Sequence, residues 1–207
     1  MPRFDLVITT TRHTNRRVRS LVKELARSLH SATKVNRGKL SLYELVLLAR
    51  SYAAKRVVIV CRGLYGNPGR LLFLDTTVSR VKFYPLVVAL SGVKLAREQG
   101  VKVVPPRART PVIPRPCTPE NRDFSQELAA ALNLPYLEME NLQEISFFYP
   151  RALLVEWVGG ERTRHVVKFV STETGEVEGP KLFVKKAVYR ELTYEEVSGK
   201  SRPESGV

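Results

Sequence analysis

The side chains that most often carry catalysis are sparse in this chain. Histidine occurs only as His13, His30 and His165, and none has a second histidine at metal-ligand spacing. Cys61 and Cys117 are too far apart for a C-x-x-C motif and too few for a disulfide framework. Cys61 ends the apolar run from Val57, where a thiol is inert packing. There is no G-x-S-x-G elbow. The stretch Gly63 to Gly69 lacks a G-K-S/T ending and is not G-x-G-x-x-G, so it reads as a tight hairpin loop rather than a phosphate cradle. Glu138, Glu140 and Glu144 read as a solvated acidic face. With no nucleophile beside a base, the chain is not expected to be an enzyme, and neither a metal nor a cofactor is expected.

Anion binding has better support. Thr10, Thr11 and Arg12 follow an apolar strand and lead into a helix N-terminus, where unpaired N–H groups and the positive dipole end favour a phosphate. Hydroxyls from Thr10, Thr11 and Thr14 with the Arg12 guanidinium suit phosphate oxygens, and Thr14 is also placed to cap the helix. Arg16, Arg19, Lys23 and Arg27 fall at steps of 3, 4 and 4 residues. At 100° per residue they share one helix face, opposite the stripe Val18, Leu21, Val22, Leu25 and Leu29. A solvated helix face usually mixes signs, but here only Glu24 is acidic. Arg37 and Lys39 flank Gly38 in an exposed turn, and Tyr65 at a loop tip is placed to stack on an unpaired base. The candidate RNA-contacting set is therefore Thr10, Thr11, Arg12, Arg16, Arg19, Lys23, Arg27, Arg37, Lys39 and Tyr65, with the arginines and lysines expected to be exposed.

The elements that must position these residues follow from pattern. Phe4 to Thr9 reads as a buried strand, and Asn15 to His30 as the amphipathic helix. A short strand near Thr33 precedes the Asn36-Arg37-Gly38-Lys39 turn, and Ser41 with Glu44 forms a capping box for a helix over 42–54. Val57 to Cys61 and Leu71 to Leu74 read as strands around the glycine-rich loop, and Val78 to Tyr84 as another. Gly92 to Gln99 is expected to be helical and Val101 to Val104 a strand. Pro105 to Pro119 holds six prolines and reads as an extended linker or surface loop. Thr118 and Pro119 open a helix to about Leu132, and 151–158, 163–170 and 181–189 alternate as an antiparallel meander. The expected class is α/β, in two halves that flank the proline-rich segment.

Charge sharpens the picture. The 207 residues carry 34 Lys+Arg against 20 Asp+Glu, a net charge of +14. Residues 1–109 hold 22 basic and 5 acidic side chains, whereas residues 110–207 hold 12 and 15. Thermal adaptation raises both signs and does not explain this asymmetry. A concentrated positive field attracts a polyanion, and nucleic acid is the leading partner. The longest uncharged stretch is the eleven residues Phe83 to Val93, too short to span a membrane. Met1-Pro2-Arg3-Phe4-Asp5 places charge where a secretory leader needs an apolar run, so a cytoplasmic protein is expected.

Several runs, in order, resemble the Brix domain. Ile8-Thr9-Thr10-Thr11-Arg12 is similar to its ITTSR-type opening. Val35-Asn36-Arg37-Gly38, then Leu42-x-Glu44-Leu45, then Val57-Val58-Ile59-Val60, is similar to its NRG…L-x-EL…IIV run. Arg62-Gly63 with Pro68-Gly69-Arg70-Leu71 and Val177-Glu178-Gly179-Pro180-Lys181-Leu182 resemble its RG…PdGL hairpin and E-x-GP signature. The family's LPxGPT segment is absent, and Leu74-Asp75-Thr76-Thr77 stands there. The resemblance covers about residues 5–190 and suits an archaeal member. It implies a ribosome-biogenesis factor that binds ribosomal-RNA precursors, beside other ribosome-assembly proteins. It also implies two α/β halves, each a mixed sheet covered by helices and similar to the anticodon-binding domain of class IIa tRNA synthetases. The corresponding organisation is a Brix domain over 1–194, made of a basic half at 1–104, a proline-rich linker at 105–119 and a second half at 120–194. A disordered tail at 195–207 follows. A monomer is expected. The competing readings are an RNA-processing enzyme, a permanent ribosomal protein and a standalone tRNA-binding module.

Overall fold

The computed structural model describes residues 2–193; the tail expected at 195–207 lies outside the described residues. In chain order the elements are β1 (Leu6–Thr10), α1 (Arg16–Ser28), β2 (Ala32–Lys34), α2 (Leu42–Ser51), β3 (Arg56–Arg62), β4 (Pro68–Asp75), β5 (Lys82–Lys94), β6 (Val112–Arg115), α3 (Pro119–Leu132), β7 (Arg151–Trp157), β8 (His165–Ser171) and β9 (Val177–Tyr189). All nine strands form one mixed sheet in the order β2-β1-β3-β4-β5-β9-β8-β7-β6. The α/β class holds, with a large sheet and few helices. None of the described helices is long and apolar enough to cross a membrane.

The sheet repeats one pattern. β1 pairs parallel with β3, and β4 and β5 follow antiparallel. β6 pairs parallel with β7, and β8 and β9 follow antiparallel. β5 and β9, each of 13 residues, then pair antiparallel and join the two units into one sheet. Each thereby covers the other's open edge, which would otherwise invite association.

Alternation along the strands divides the core by face. Leu6, Ile8, Val58, Phe73, Val88, Leu153, Val167 and Leu182 meet α1 and α3 on one face. Val7, Val57, Ile59, Leu72 and Val87 meet α2 on the other. On that reverse face of the second unit, Ile113, Ala152, Leu154 and Val170 are covered by Leu142 and its neighbours. Arg151 ties the parts together. Its Nε donates to Glu178 Oε2 at 2.7 Å and its Nη1 to the Val104 carbonyl at 2.8 Å.

Four stretches depart from the sequence expectations, the first being the expected strand at Val78 to Tyr84, of which only Lys82 to Tyr84 is strand, as the start of β5. Gly92 to Lys94 is not helical but continues β5, and only Ala96–Gln99 forms a short 3-10 turn. The expected strand at Val101 to Val104 has no regular structure. Inside the proline-rich segment, Val112–Arg115 is β6, an edge strand. An edge position tolerates Pro114 because a missing N–H there breaks no ladder between two neighbours.

Candidate nucleic-acid interface

α1 begins at Asn15, whose Oδ1 accepts the Val18 N–H at 3.0 Å. Asn15, not Thr14, is therefore the cap. Its Nδ2 also donates to the Gly66 carbonyl, which fastens the β3–β4 loop to the start of the helix. That loop is a tight hairpin, as the sequence suggests. Gly63 and Gly69 cross so closely that a Cβ on Gly63 would lie 2.7 Å from the Gly69 Cα. Leu64 and Tyr65 are pushed outward, and Tyr65 is 99% exposed with φ at 51°. A bulky residue in the left-handed region carries a steric cost of about 1–2 kcal/mol. A strained, fully exposed aromatic contributes nothing to the core and points to an external contact.

Arg16, Arg19, Lys23 and Arg27 are all exposed, and Val18, Leu21, Val22 and Leu25 are buried beneath them. The expected stripe is present. The first turn of α1 contains no acidic residue; Arg16, Arg17 and Arg19 stand there instead. Cations at the positive end of a helix dipole are unfavourable by about 0.3–1 kcal/mol each at low ionic strength. Arg17 is compensated, since it forms a two-pronged ion pair with Glu98 at 2.7 and 3.0 Å. No ion pair is formed by Arg16 or Arg19 among the described residues.

Beside the helix start, outside the carboxyl ends of β1 and β2, lies a cavity of about 280 Å³. Thr10, Arg12, Thr14, Arg19, Lys34 and Arg37 line it. The carboxyl ends of parallel strands are where open α/β sheets receive ligands. Among the described residues the Thr14 hydroxyl is buried without a hydrogen-bond partner. Arg37 departs from expectation: it is 7% exposed rather than free in solution. Gly38, at a φ of 51°, turns the chain so that Leu40 N–H meets the Arg37 carbonyl, and the guanidinium folds into the cavity wall. Lys39 stays exposed on the rim, where its carbonyl accepts from Arg12 Nη2 at 3.4 Å. Thr11 is not in the cavity wall; its hydroxyl donates to the His13 carbonyl at 3.2 Å.

A second cleft of about 260 Å³ continues the stripe, lined by Ser20, Lys23, Glu24, Arg27, Arg97 and Lys102. Arg97 and Lys102 escape sequence reasoning because only the fold brings the 3-10 turn and the chain after it against α1. Glu24 in this cleft is held above the usual carboxylate range by burial, against the opposing pull of the Ala96 N–H and Arg97.

The groups that could do chemistry stay apart. His13 is exposed, His30 Nδ1 meets the Pro106 carbonyl at 3.2 Å, and His165 is buried against Phe124 and Trp157. The Cys61 thiol is pushed up to about 11 by burial, with Arg70 opposing, which suits inert packing. Among the described residues no three His, Cys, Asp or Glu side chains are placed to hold a metal.

Fold and surface together define a mixed α/β protein with a row of exposed cations along one helix and further basic residues around that helix's start. No protein-family model matches the chain. Three archaeal proteins described as probable Brix domain-containing ribosomal biogenesis proteins do. The one from Pyrobaculum aerophilum is 26% identical over 188 residues, which covers 90% of this chain and 97% of the relative. Those from Methanococcus maripaludis (42% over 97 residues) and Sulfurisphaera tokodaii (31% over 99 residues) match 47% and 46% of this chain. The matches to these two span about half of each relative's length, 52% and 55%. A probable ribosomal biogenesis protein from Aeropyrum pernix shares the fold, with a TM-score of 0.72 at 24% identity over 88% of this chain and 96% of its own. An archaeal Imp4-like protein does so with a TM-score of 0.60 at 22% identity, over 89% and 99%. The chain is thus similar in sequence to archaeal Brix domain-containing ribosomal biogenesis proteins and shares the fold of these two archaeal structures.

Proposed function

We propose that this protein is a non-catalytic ribosome-biogenesis factor that binds ribosomal-RNA precursor and acts as an RNA chaperone or assembly scaffold. The observation that carries the RNA contact is the first turn of α1. Exposed Arg16 and Arg19 are kept where the helix dipole opposes them, beside a cavity walled by Thr10, Arg12 and Arg37. A phosphate removes this conflict, because it neutralises the cations and accepts from the helix start at once. Arg16, Arg19, Lys23 and Arg27 follow the backbone, with Thr11 and Lys39 at the rim. Tyr65 stacks on an unpaired base beside the helix start. The relatives' description as ribosomal biogenesis proteins supports reading that RNA as ribosomal-RNA precursor.

The proposal includes the organisation of the chain. Residues 1–194 form one Brix domain, with a basic first half at 1–104 and a second half that begins with β6 inside the proline-rich segment. The repeated parallel-then-antiparallel order supports reading each half as an anticodon-binding-type unit. The protein acts as a cytoplasmic monomer with other assembly factors. Crosslinking in cells, followed by sequencing of the attached RNA, tests this function. Sharp peaks in ribosomal-RNA precursor, including spacer sequence absent from mature ribosomes, are expected. Crosslinks that merely follow transcript abundance overturn it.

A further inference from the structure

We infer that residues 140–148, with the turn at 173–176, form a docking surface for a basic, apolar segment of a protein partner. This surface is separate from the proposed RNA face and does not depend on it. It starts from Phe147 and Phe148, which are 89% and 67% exposed. Their rings meet edge to face with centroids 5.2 Å apart. Two adjacent phenylalanines left in water are unfavourable for a solitary fold and mark a contact surface.

The rings stand on a rigid base. Leu142 is buried with Ile113, Ala152, Leu154 and Val170. The Phe148 and Tyr149 N–H groups both donate to the Ile145 carbonyl, at 3.0 and 2.8 Å. Thr172 Oγ1 holds the Tyr149 carbonyl at 2.6 Å. Little ordering is therefore left to do when a partner arrives.

Charge selects the partner. Glu140 and Glu144 lie on the same segment, and Gln143 Nε2 reaches the Glu173 carbonyl at 3.2 Å, which brings Glu173 and Glu176 alongside. All four carboxylates are exposed, and none forms an ion pair among the described residues. Arg115 touches the segment through the Glu140 carbonyl. The surface repels phosphate and anionic lipid and attracts lysine and arginine. It also lies on the opposite side of the sheet from α1. Leu142 packs on Ala152 and Leu154, whereas α1 shares its core with the alternate residues Leu153 and Val155. A partner here leaves the basic helix free, so one molecule holds RNA on one face and a basic protein tail on the other.

The probe is a short labelled peptide of repeating Arg-Phe-Lys, with two controls: Glu in place of Arg and Lys, and Ser in place of Phe. Binding to the full chain is read by fluorescence anisotropy, and the contact is mapped by amide chemical shifts. Only the Arg-Phe-Lys peptide is expected to bind well, with shifts centred on residues 140–148. F147S/F148S is expected to weaken it about tenfold or more. E140Q/E144Q/E173Q is expected to weaken it and flatten its salt dependence, which gives a second reading should the phenylalanine variant fail to fold. RNA affinity should stay unchanged in both variants, and RNA-loaded protein should still take the peptide. Equal binding to wild type and variants, or shifts elsewhere, overturns the proposal. A loss of single-stranded RNA affinity in F147S/F148S would make the rings a base-stacking platform and also overturn it. So would a concentration-dependent dimer abolished by that variant, since a second copy would then be the occupant. Loss of RNA binding by the α1 variants leaves this result untouched, so the two proposals fail separately.

Discussion

Replacing Arg16, Arg19 and Lys23 together with Gln tests the α1 stripe most directly. All three side chains are exposed, and none forms an ion pair among the described residues. Surface changes of this kind move stability by only about 0.5 kcal/mol. Here the direction is also set. Arg16 and Arg19 lie at the positive end of α1 with no acid in the first turn, so their removal relieves a repulsion of about 0.3–1 kcal/mol each at low salt. The melting temperature should hold or rise slightly. RNA affinity should fall. Each phosphate contact to a single strand contributes about 0.7 to the slope of log affinity against log salt, so three contacts account for roughly 2. Over a fourfold rise in salt, a slope difference of that size is roughly a 20-fold difference in affinity change. The assay is anisotropy of a labelled single strand across a salt series. The control replaces Arg162, Lys185 and Lys186, exposed cations of the second unit, with Gln. Both variants lower the +14 net charge by three. Equal losses in affinity and slope would mean a diffuse cationic surface and refute the assignment. Unfolding of the α1 variant would show that these side chains pack.

Tyr65→Gly should lower affinity for unpaired RNA by about 1–3 kcal/mol while stability holds or rises slightly, since glycine accepts the positive φ without cost; Tyr65→Phe should bind normally in the same titration. Arg151→Met should cost about 1–3 kcal/mol in denaturant unfolding, because it leaves the Val104 carbonyl without its donor while the half-exposed Glu178 turns to water. His165, 5% exposed, has its pKa pushed down to about 4 by burial, with Arg164 adding to the effect. The unfolded chain takes up a proton near pH 6.5 and the folded one near 4, so stability is intact above about pH 6.5 and falls as pH drops toward 4, by up to about 3 kcal/mol. Denaturant midpoints across that window should decline less in His165→Gln than in wild type; equal declines would refute the assignment.

What could be read before the fold was known was local. α1 announces itself by period, and the Ser41–Glu44 capping box is present with both bonds, at 2.7 and 3.1 Å. Only the start of β5 is legible, where the expected strand Val78 to Tyr84 overlaps it, because Pro85 breaks a strand pattern and Gly92 resembles a helix start. The sheet explains how the strand survives both. The β4–β5 register jumps from Leu74↔Phe83 to Leu72↔Val87, which leaves Pro85 inside a bulge where no ladder bond needs its N–H. Gly92 sits beside a second irregularity, against β9. β6 hides in a proline-rich segment because its ladder forms with β7, some 40 residues later in the chain. The burial of Arg37 escapes the sequence for a similar reason: a turn signal gives the bend but not what the bend folds against.

The repeat supplies its own control on the meaning of the charges. α1 and α3 each follow the first strand of their unit, and both pack on the same face of the sheet. α3 opens with Pro119 and Glu120 and carries Asp123 and Glu127, a first turn in keeping with the helix dipole. α1 opens with Arg16 and Arg17 and has no acid until Glu24. The architecture therefore accepts an acidic helix start in this place, and packing does not demand the basic one. Thermal adaptation would load both helices alike. Glu140, Glu144, Glu173 and Glu176, which form no ion pair among the described residues, stand with Phe147 and Phe148 on the reverse face, away from α1. One sheet thus carries opposite charge at two separated surfaces, each beside an exposed aromatic. That distribution argues for two different partners rather than for solubility.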